Sequence, residues 1–368
     1  MRSVLHIING EYYSGAERVQ DLLSINLAQY GYDVSFACLK LKSFKDNCQT
    51  DKNKINDFSM GSRIDIWKIN KLSDYIKNND IKIIHTHTPR TSLIGFPASL
   101  QTGIPIVHHV HSPTIRDSEK IINNYINTKI ENYVIRRVSK VIVVSQSLRQ
   151  YVSKIKKNMD NVVVVHNGVP TADIENFTKV DTIGNINIGT AALFRPRKGL
   201  EVLLSALHVI KQKGITYTFH AIGEFINDDY RRDIEELIRI KGLQENIVLH
   251  GFVSDVYTKL SKLDIFVLPS LYGEGLPMVI LEAMANGIPV VSANVEGVIE
   301  AIPTERFGLL VEPGNIEELT AAITYLIENG QHRESIARAA YERQINHLSV
   351  KSMTQSVANI YQELLCNE

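Results

Sequence analysis

The sequence predicts an α/β protein built from two doubly wound domains with parallel sheets. Three observations carry this. Short β-branched runs alternate with helical segments from one end to the other. Those runs are continuously apolar, as strands covered on both faces are. The whole pattern then restarts near the middle of a 368-residue chain, which is long enough for two full cores.

In the first half the strands read VLHIIN, DVSFACL, IKIIHTH, IPIVHHV, KVIVVS and NVVVVHN. Helix candidates between them include Ala16–Tyr30, Thr91–Gln101 and Ser118–Ser139. Lys42–Ser59 is polar and aperiodic and reads as a long mobile loop. From about Pro170 to Asn185 periodicity is lost, as in a linker. The second-half strands are NINIGTAAL, TYTFHAIG, NIVLHGF, DIFVLPS, PVVSAN and GLLVEP. After Val350, residues Met353, Val357, Ile360, Tyr361 and Leu364 fall at helical spacing. The expected domains are 1–175, 180–348 and a terminal helix over 349–368. In open parallel sheets ligands bind outside the carboxyl ends of the strands, so two such domains facing each other are expected to enclose a cleft.

Composition sets limits on function. Apolar residues at 44% and charged residues at 22% fit an ordinary globular enzyme. The net charge of zero divides unevenly: residues 1–175 hold 23 Lys/Arg against 16 Asp/Glu, and residues 176–368 hold 17 against 24. A basic first half facing a membrane leaflet or a phosphate-bearing acceptor is one reading, and solvated charge is the other. Arg136, Arg137, Lys140, Arg149, Lys154, Lys156 and Lys157, with Tyr133, Val134 and Val138 nearby, suit an interfacial helix. Cys38, Cys48 and Cys366 have neither ligand spacing nor an even-numbered framework, which fits a reducing compartment. No signal-peptide pattern precedes the first strand, and no apolar run approaches the length of a membrane span. The expectation is a cytoplasmic protein, at most peripheral at the inner face of the plasma membrane. Nucleic-acid binding lacks both a motif and interleaved aromatics.

The motif with most chemical content is YGEGLPMVILEAMANGIPVV, residues 272 to 291. Glu282 sits among Val279, Ile280, Leu281, Ala283, Met284 and Ala285, so its helix is apolar nearly all round. A carboxylate buried there needs a partner, and a ligand diol is a suitable one. Glu274 precedes Gly275-Leu276-Pro277; Pro277 suits the first helical position, which would leave backbone N–H groups beside that carboxylate. Arg195-Pro196-Arg197-Lys198-Gly199-Leu200 follows the first strand of the second half and opens a helix. Three cations at a helix start oppose the helix dipole unless an anion sits among them, and a diphosphate is a natural anion. In the first half, Ser14-Gly15-Ala16 opens a helix with a glycine that lets backbone N–H groups approach a phosphate. This is not the dinucleotide G-x-G-x-x-G pattern, which counts against an oxidoreductase. His85/His87 and His109/His111 are strand-end pairs whose members share a face. With no nearby carboxylate or cysteine to complete a ligand set, no metal site is expected among them.

These elements resemble the retaining nucleotide-sugar glycosyltransferases of family 4, which have the GT-B fold: two Rossmann-like domains across a cleft, the C-terminal helix crossing back to the first. The resemblance is most specific from about Arg195 to Gly314. Glu274 and Glu282 match the E-x7-E signature, and Lys198 matches the lysine of R-x4-K-G. That element's arginine position holds Leu193, and Arg195 follows two residues on, with Arg197 as a substitute. The resemblance implies transfer of a hexose-type sugar from a nucleotide-diphosphate donor to an acceptor hydroxyl, with retention. A donor phosphate oxygen then takes the acceptor proton. It assigns Glu282 to the ribose, Arg195 and Lys198 to the diphosphate, and Glu274 with the Gly275–Leu276 backbone and Pro277 to the sugar. His111 lies near the donor sugar and acceptor, Gly15 beside the diphosphate, and Gly251-Phe252 by the nucleobase. It also implies no cofactor and no metal, a glycan or lipid-linked acceptor, and peripheral contact with the anionic inner membrane. Bacterial polysaccharide, lipopolysaccharide or lipid-linked glycan synthesis is the setting it suggests. The alternative enzyme on the same two-domain fold is a nucleotide-sugar 2-epimerase, and a binding-only protein is a third reading.

Overall fold

The structure, a computed structural model, describes residues 1–61, 65, 67–114, 121–174, 184–253 and 255–366. The chain divides into two compact units, Met1–Gly168 with Val350–Glu368, and Val169–Ser349.

The first unit runs β1 (Arg2–Ile8), α1 (Gly15–Asn26), β2 (Tyr32–Cys38), α2 (Ser43–Asn47), β3 (Ile55–Asp57), α3 (Trp67–Asn78), β4 (Ile81–Thr86), α4 (Pro89–Thr102), β5 (Ile106–Val110), α5 (Ile121–Ile135), β6 (Lys140–Val143), α6 (Gln146–Ser153) and β7 (Val162–Val164). Its sheet has the order β3-β2-β1-β4-β5-β6-β7, with every pairing parallel. The order reverses between β1 and β4, the switch point where such sheets bind ligands. The segment Lys42–Ser59, read as a mobile loop, is instead ordered. It contains α2, a 3-10 turn at Lys52–Lys54 and the edge strand β3, and it buries Phe44. The buried Asp21 carboxylate of α1 holds it, accepting from the Gln49 N–H (2.8 Å), the Thr50 N–H (3.0 Å) and the Tyr13 hydroxyl (2.7 Å). The contacts to Gln49 and Thr50 join positions 28 and 29 residues apart, so local periodicity does not reveal them. The helix candidate at Ser118–Ser139 is α5, while residues 115–120 lie outside the described set.

The second unit runs β8 (Ile186–Ala191), α7 (Leu200–Gln212), β9 (Tyr217–Ile222), α8 (Asp228–Ile240), β10 (Ile247–Gly251), α9 (Val256–Leu260), β11 (Ile265–Leu268), α10 (Met278–Ala285), β12 (Val290–Ala293), α11 (Val298–Ala301), β13 (Leu309–Val311), α12 (Ile316–Glu328) and α13 (Gly330–His347). Its parallel sheet has the order β10-β9-β8-β11-β12-β13, reversing between β8 and β11. Leu200, Leu203, Leu204, Leu207 and Ile210 recur at helical spacing on α7 and bury one stripe against this sheet's core. The unit begins at Val169 because the following backbone is tied into it: the Val169 N–H bonds Leu348 O (3.1 Å) and the Ala172 N–H bonds Ala285 O (3.2 Å). Residues 175–183, within the stretch read as a linker, lie outside the described set.

The terminal helix α14 (Val350–Cys366) belongs to the first unit and packs on α1. Its buried Tyr361 meets a row of imidazoles. Register pairs His6 of β1 with His85 of β4, and His85 with Val107 of β5. His6, His85, His87, His109 and His111 therefore share one face of the sheet. His108 points the other way, to Thr86 Oγ1 (2.9 Å) and Glu131 (3.6 Å). On the shared face a continuous polar chain runs from His111 to His87 (3.1 Å), His6 (3.2 Å), Tyr361 (3.0 Å) and His85 (2.6 Å).

Burial, and then repulsion from the neighbouring rings, lowers these histidines: His6 and His111 to about 3, and His85, His87 and His109 well below 6.5. The unfolded chain thus binds more protons than the folded one below pH 6.5, and stability falls as pH falls through that window. Each such ring adds about 1.4 kcal/mol per pH unit. Chemical denaturation at pH 7.0, 6.0 and 5.5 is expected to show a loss steeper than one histidine supplies; a flat dependence contradicts the neutral row.

Candidate active site

The loops that leave β8, β11 and β12 meet at the reversal of the second sheet. After β8, Arg195 starts a 3-10 turn over Pro196–Lys198, and Gly199 caps α7 with φ +67°. A Cβ at Gly199 would lie 2.1 Å from Pro269 O, so only glycine lets the two loops approach this closely. The Leu271 N–H donates to Arg197 O at 2.8 Å, and Arg197 Nη1 donates to the Tyr272 and Gly273 carbonyls, both at 3.2 Å. Lys198 Nζ then reaches Glu274 Oε1 at 2.5 Å, and the Ser270 hydroxyl donates to the same oxygen at 2.6 Å.

The β12 loop closes the arrangement. Glu296 Oε2 accepts the backbone N–H groups of Gly273 (2.8 Å) and Glu274 (3.2 Å), from a residue with the unusual φ of +20°. Gly297 donates its N–H to Glu274 O at 3.2 Å, and a Cβ there would fall 1.3 Å from Gly275 O. Glu296 opens Glu296-Gly297-Val298-Ile299-Glu300, a stretch that resembles a family element near the cleft, but its partners, the Gly273 and Glu274 N–H groups, lie 23 and 22 residues back. Ser270 was missed in the sequence, because nothing local marks a serine just past a plain apolar strand.

Electrostatics keep the pair charged. Burial works to raise the Glu274 carboxyl, but Lys198 and Arg197, with hydrogen bonds from Lys198 and Ser270, outweigh it and hold the group below the usual carboxylate value. Burial pulls the Lys198 ammonium below its ordinary value; Arg197 and Arg195 act the same way and Glu274 opposes them.

Two expectations change. The cations at Arg195–Lys198 already have an anion among them, because Glu274, distant in sequence, pairs with Lys198, while Arg197 is used on loop carbonyls. They also precede α7 rather than opening it, since Gly199 intervenes. Pro277 is not the first helical residue but the N-cap, with ψ 119°, and α10 begins at Met278. Its Glu282 is fully buried, at 0% exposure, as the apolar surroundings required. Gly275, Leu276 and Pro277 are buried beside it in the chain.

The remaining residues are more scattered. Gly251 (φ +66°) ends β10, the outermost strand, and accepts the Gly223 N–H at 2.8 Å; Phe252 beyond it is 44% exposed. Gly15 and His111 belong to the first unit. Gly15 is the exposed first residue of α1, and His111 is a half-buried ring just past β5. The structure also joins the two histidine pairs with each other and with His6, which the sequence showed only as separate strand ends.

Known proteins share this plan. Residues 13–173 match the family described as Glycosyltransferase Family 4, and residues 184–343 match the one described as Glycosyl transferases group 1. The chain is similar to the UDP-Gal:alpha-D-GlcNAc-diphosphoundecaprenol alpha-1,3-galactosyltransferase of Escherichia coli, 24% identical over 334 residues, 84% of this chain and 81% of that one. It is also similar to the capsular polysaccharide biosynthesis glycosyltransferase CapM of Staphylococcus aureus, 24% identical over 296 residues, 77% of each. In fold it matches Anabaena HepE in complex with UDP-glucose at a TM-score of 0.85 with 22% identity, over 99% of this chain and 100% of that one. A sucrose-phosphate synthase from Thermosynechococcus elongatus gives 0.85 with 19% identity, over the whole of both chains. The chain belongs to glycosyltransferase family 4 and has the GT-B fold.

Proposed function

We propose that the chain moves a hexose from a nucleotide-diphosphate sugar to an acceptor hydroxyl with retention of configuration. The observation that carries this reading is the buried Lys198–Glu274 pair at the reversal of the second sheet, next to the Glu282 helix in sequence. A buried ion pair is a poor stability device, because desolvation offsets its attraction. As a donor site it has a use. The ammonium has three donors and spends one on Glu274, so two remain for phosphate oxygens. Lys198 and Arg195 stabilise the charge that grows on the departing diphosphate. Glu274, with the Gly275–Leu276 backbone, holds sugar hydroxyls; Glu282 accepts from the ribose diol; Gly251 and Phe252 border the base.

In the transfer, the bond from the anomeric carbon to the diphosphate oxygen breaks and a bond to the acceptor oxygen forms. The acceptor proton goes to the donor phosphate oxygen. His111 and Gly15 keep the roles that the family resemblance gives them, toward the acceptor and the diphosphate. Lys198 and Arg195 supply positive charge themselves, so the transfer is proposed to need no metal. Support for the donor class comes from the relatives: the Escherichia coli enzyme is named for UDP-Gal and a diphosphoundecaprenol-linked acceptor, and HepE was solved with UDP-glucose. The epimerase reading has no such support and is set aside.

A lipid-linked acceptor suits peripheral membrane contact. Ile122, Tyr125, Ile126 and Tyr133 are exposed on α5, and Arg137 stacks on Tyr133 at 3.8 Å. Among the described residues no helix is long and apolar enough to cross a membrane.

Donor binding, site variants and membrane binding test this. A panel of uridine, guanosine and adenosine diphosphate sugars is expected to yield at least one that raises the melting temperature and releases nucleotide. Glu282→Gln lowers donor affinity roughly 10- to 100-fold, and Lys198→Ala lowers the transfer rate roughly 10²- to 10³-fold. Because Lys198→Ala strands a buried carboxylate, the paired Lys198→Met/Glu274→Gln variant is made as well; it recovers folding but not transfer, and wild-type rates in it refute the roles assigned to Lys198 and Glu274. Gly297→Ala forces the β12 loop off Gly275 and slows transfer by about 100-fold, since small displacements of positioning groups are that costly; an unchanged rate removes that loop from the site. Sedimentation with vesicles is expected to be stronger for anionic than for zwitterionic lipid and to weaken in Tyr125→Ser/Tyr133→Ser. Equal binding to both lipids argues against membrane contact.

A further inference from the structure

We propose that His87, His109 and His111 form a binding site for a divalent transition-metal ion of the zinc type. The site lies at the carboxyl ends of β4 and β5, beside the switch point of the first sheet, whereas the Lys198–Glu274 pair belongs to the second unit, and it goes beyond the transfer reading. One candidate ligand nitrogen from each ring lies within 4.8 Å of the other two. His87 Nδ1 and His111 Nε2 are 3.1 Å apart, close to the roughly 3.3 Å edge of a tetrahedron with metal–nitrogen bonds of about 2.0 Å. His109 and His111 are alternate residues leaving β5, stacked at 4.2 Å between ring centres, so they present nitrogens side by side. His87 comes from the neighbouring strand β4.

His109 is the independent sign of a ligand. It is fully buried, at 0% exposure, and among the described residues neither of its ring nitrogens has a hydrogen-bond partner. A neutral imidazole carries one lone pair and one N–H, and burying both unmet forfeits their hydration for nothing. An ion meets the lone pair.

The surroundings fit the way metal-bound histidines are held. With His87 Nδ1 on the ion, its Nε2–H donates to His6 Nδ1 at 3.2 Å. His6 Nε2–H then donates to the Tyr361 hydroxyl at 3.0 Å, which donates to His85 Nδ1 at 2.6 Å. Every link has one donor and one acceptor, and the ion gives the chain a single direction. The other trio, His6, His85 and His87, has two of its rings on Tyr361 and all three fully buried, whereas His111 leaves the proposed site a half-open side. Three imidazoles without thiolate or carboxylate favour zinc, cobalt, nickel or copper over magnesium or calcium, and leave a tetrahedral ion one position for water. On the transfer reading above, an ion here withdraws His111 from the sugar or acceptor and slows the reaction.

The test uses untagged, full-length protein stripped with EDTA and dialysed, then titrated with Co²⁺ in the visible range and with Zn²⁺ by calorimetry. One ion per chain is expected, with intensified cobalt bands of a tetrahedral nitrogen site. His109→Ala and His111→Ala weaken binding at least 100-fold, and His85→Ala leaves it within a few-fold, all three with native circular dichroism. Absence of stoichiometric binding overturns the proposal. So does unchanged binding in His109→Ala, or loss of binding in His85→Ala with His109→Ala unaffected, which places the ion at the other trio. Transfer is read separately: an ion that binds as described but leaves the rate unchanged refutes the role of His111 and leaves the site standing.

Discussion

The second unit depends on one contact, the ion pair between Lys198 and Glu274 across 76 residues of chain. It joins the loop after β8 to the loop after β11, neighbours in the sheet at the point where strand order reverses. Around it, Arg197 holds the β11 loop by its carbonyls and Glu296 holds it by its N–H groups. Two glycines make the approach possible, Gly199 against Pro269 and Gly297 against Gly275. The loop is thus gripped along both edges of its backbone. A buried charge pair adds little stability of its own, because desolvation offsets its attraction.

The first unit follows the same topological rule with different chemistry. Its sheet reverses between β1 and β4, and there it places imidazoles instead of an ion pair. Alternation along parallel strands puts every second residue on one face, so histidines at 85, 87, 109 and 111 line up with His6 in register. Tyr361 arrives from the far end of the sequence and fills the hydrogen-bonding gap between His6 and His85. Some of this unit's cations are paired locally, Lys40 with Glu11, Lys54 with Asp33 and Lys140 with Glu363, and since each pair also uses an anion the positive surplus is left to other residues. What remains distinctive on its surface is the apolar face of α5, with Ile122, Tyr125 and Tyr133 outward.

By itself the sequence determined the class of fold and most of its elements. The strand runs named from β-branched composition form strands, because a strand buried on both faces must be apolar throughout and leaves that mark in the chain. The burial of Glu282 was legible for the same reason, since its flanking residues are apolar on every side. Tertiary structure decided what depends on residues distant in sequence. β3 exists because β2 offers it a ladder edge, and Asp21 fastens the segment before it. Glu274 answers the cations at Arg197 and Lys198, Glu296 caps the Gly273–Glu274 backbone, and His6 joins two histidine pairs from other strands. Hydrophobic periodicity is a property of neighbours along the chain, whereas a charge finds its partner only across space, once the sheet has set which loops stand side by side.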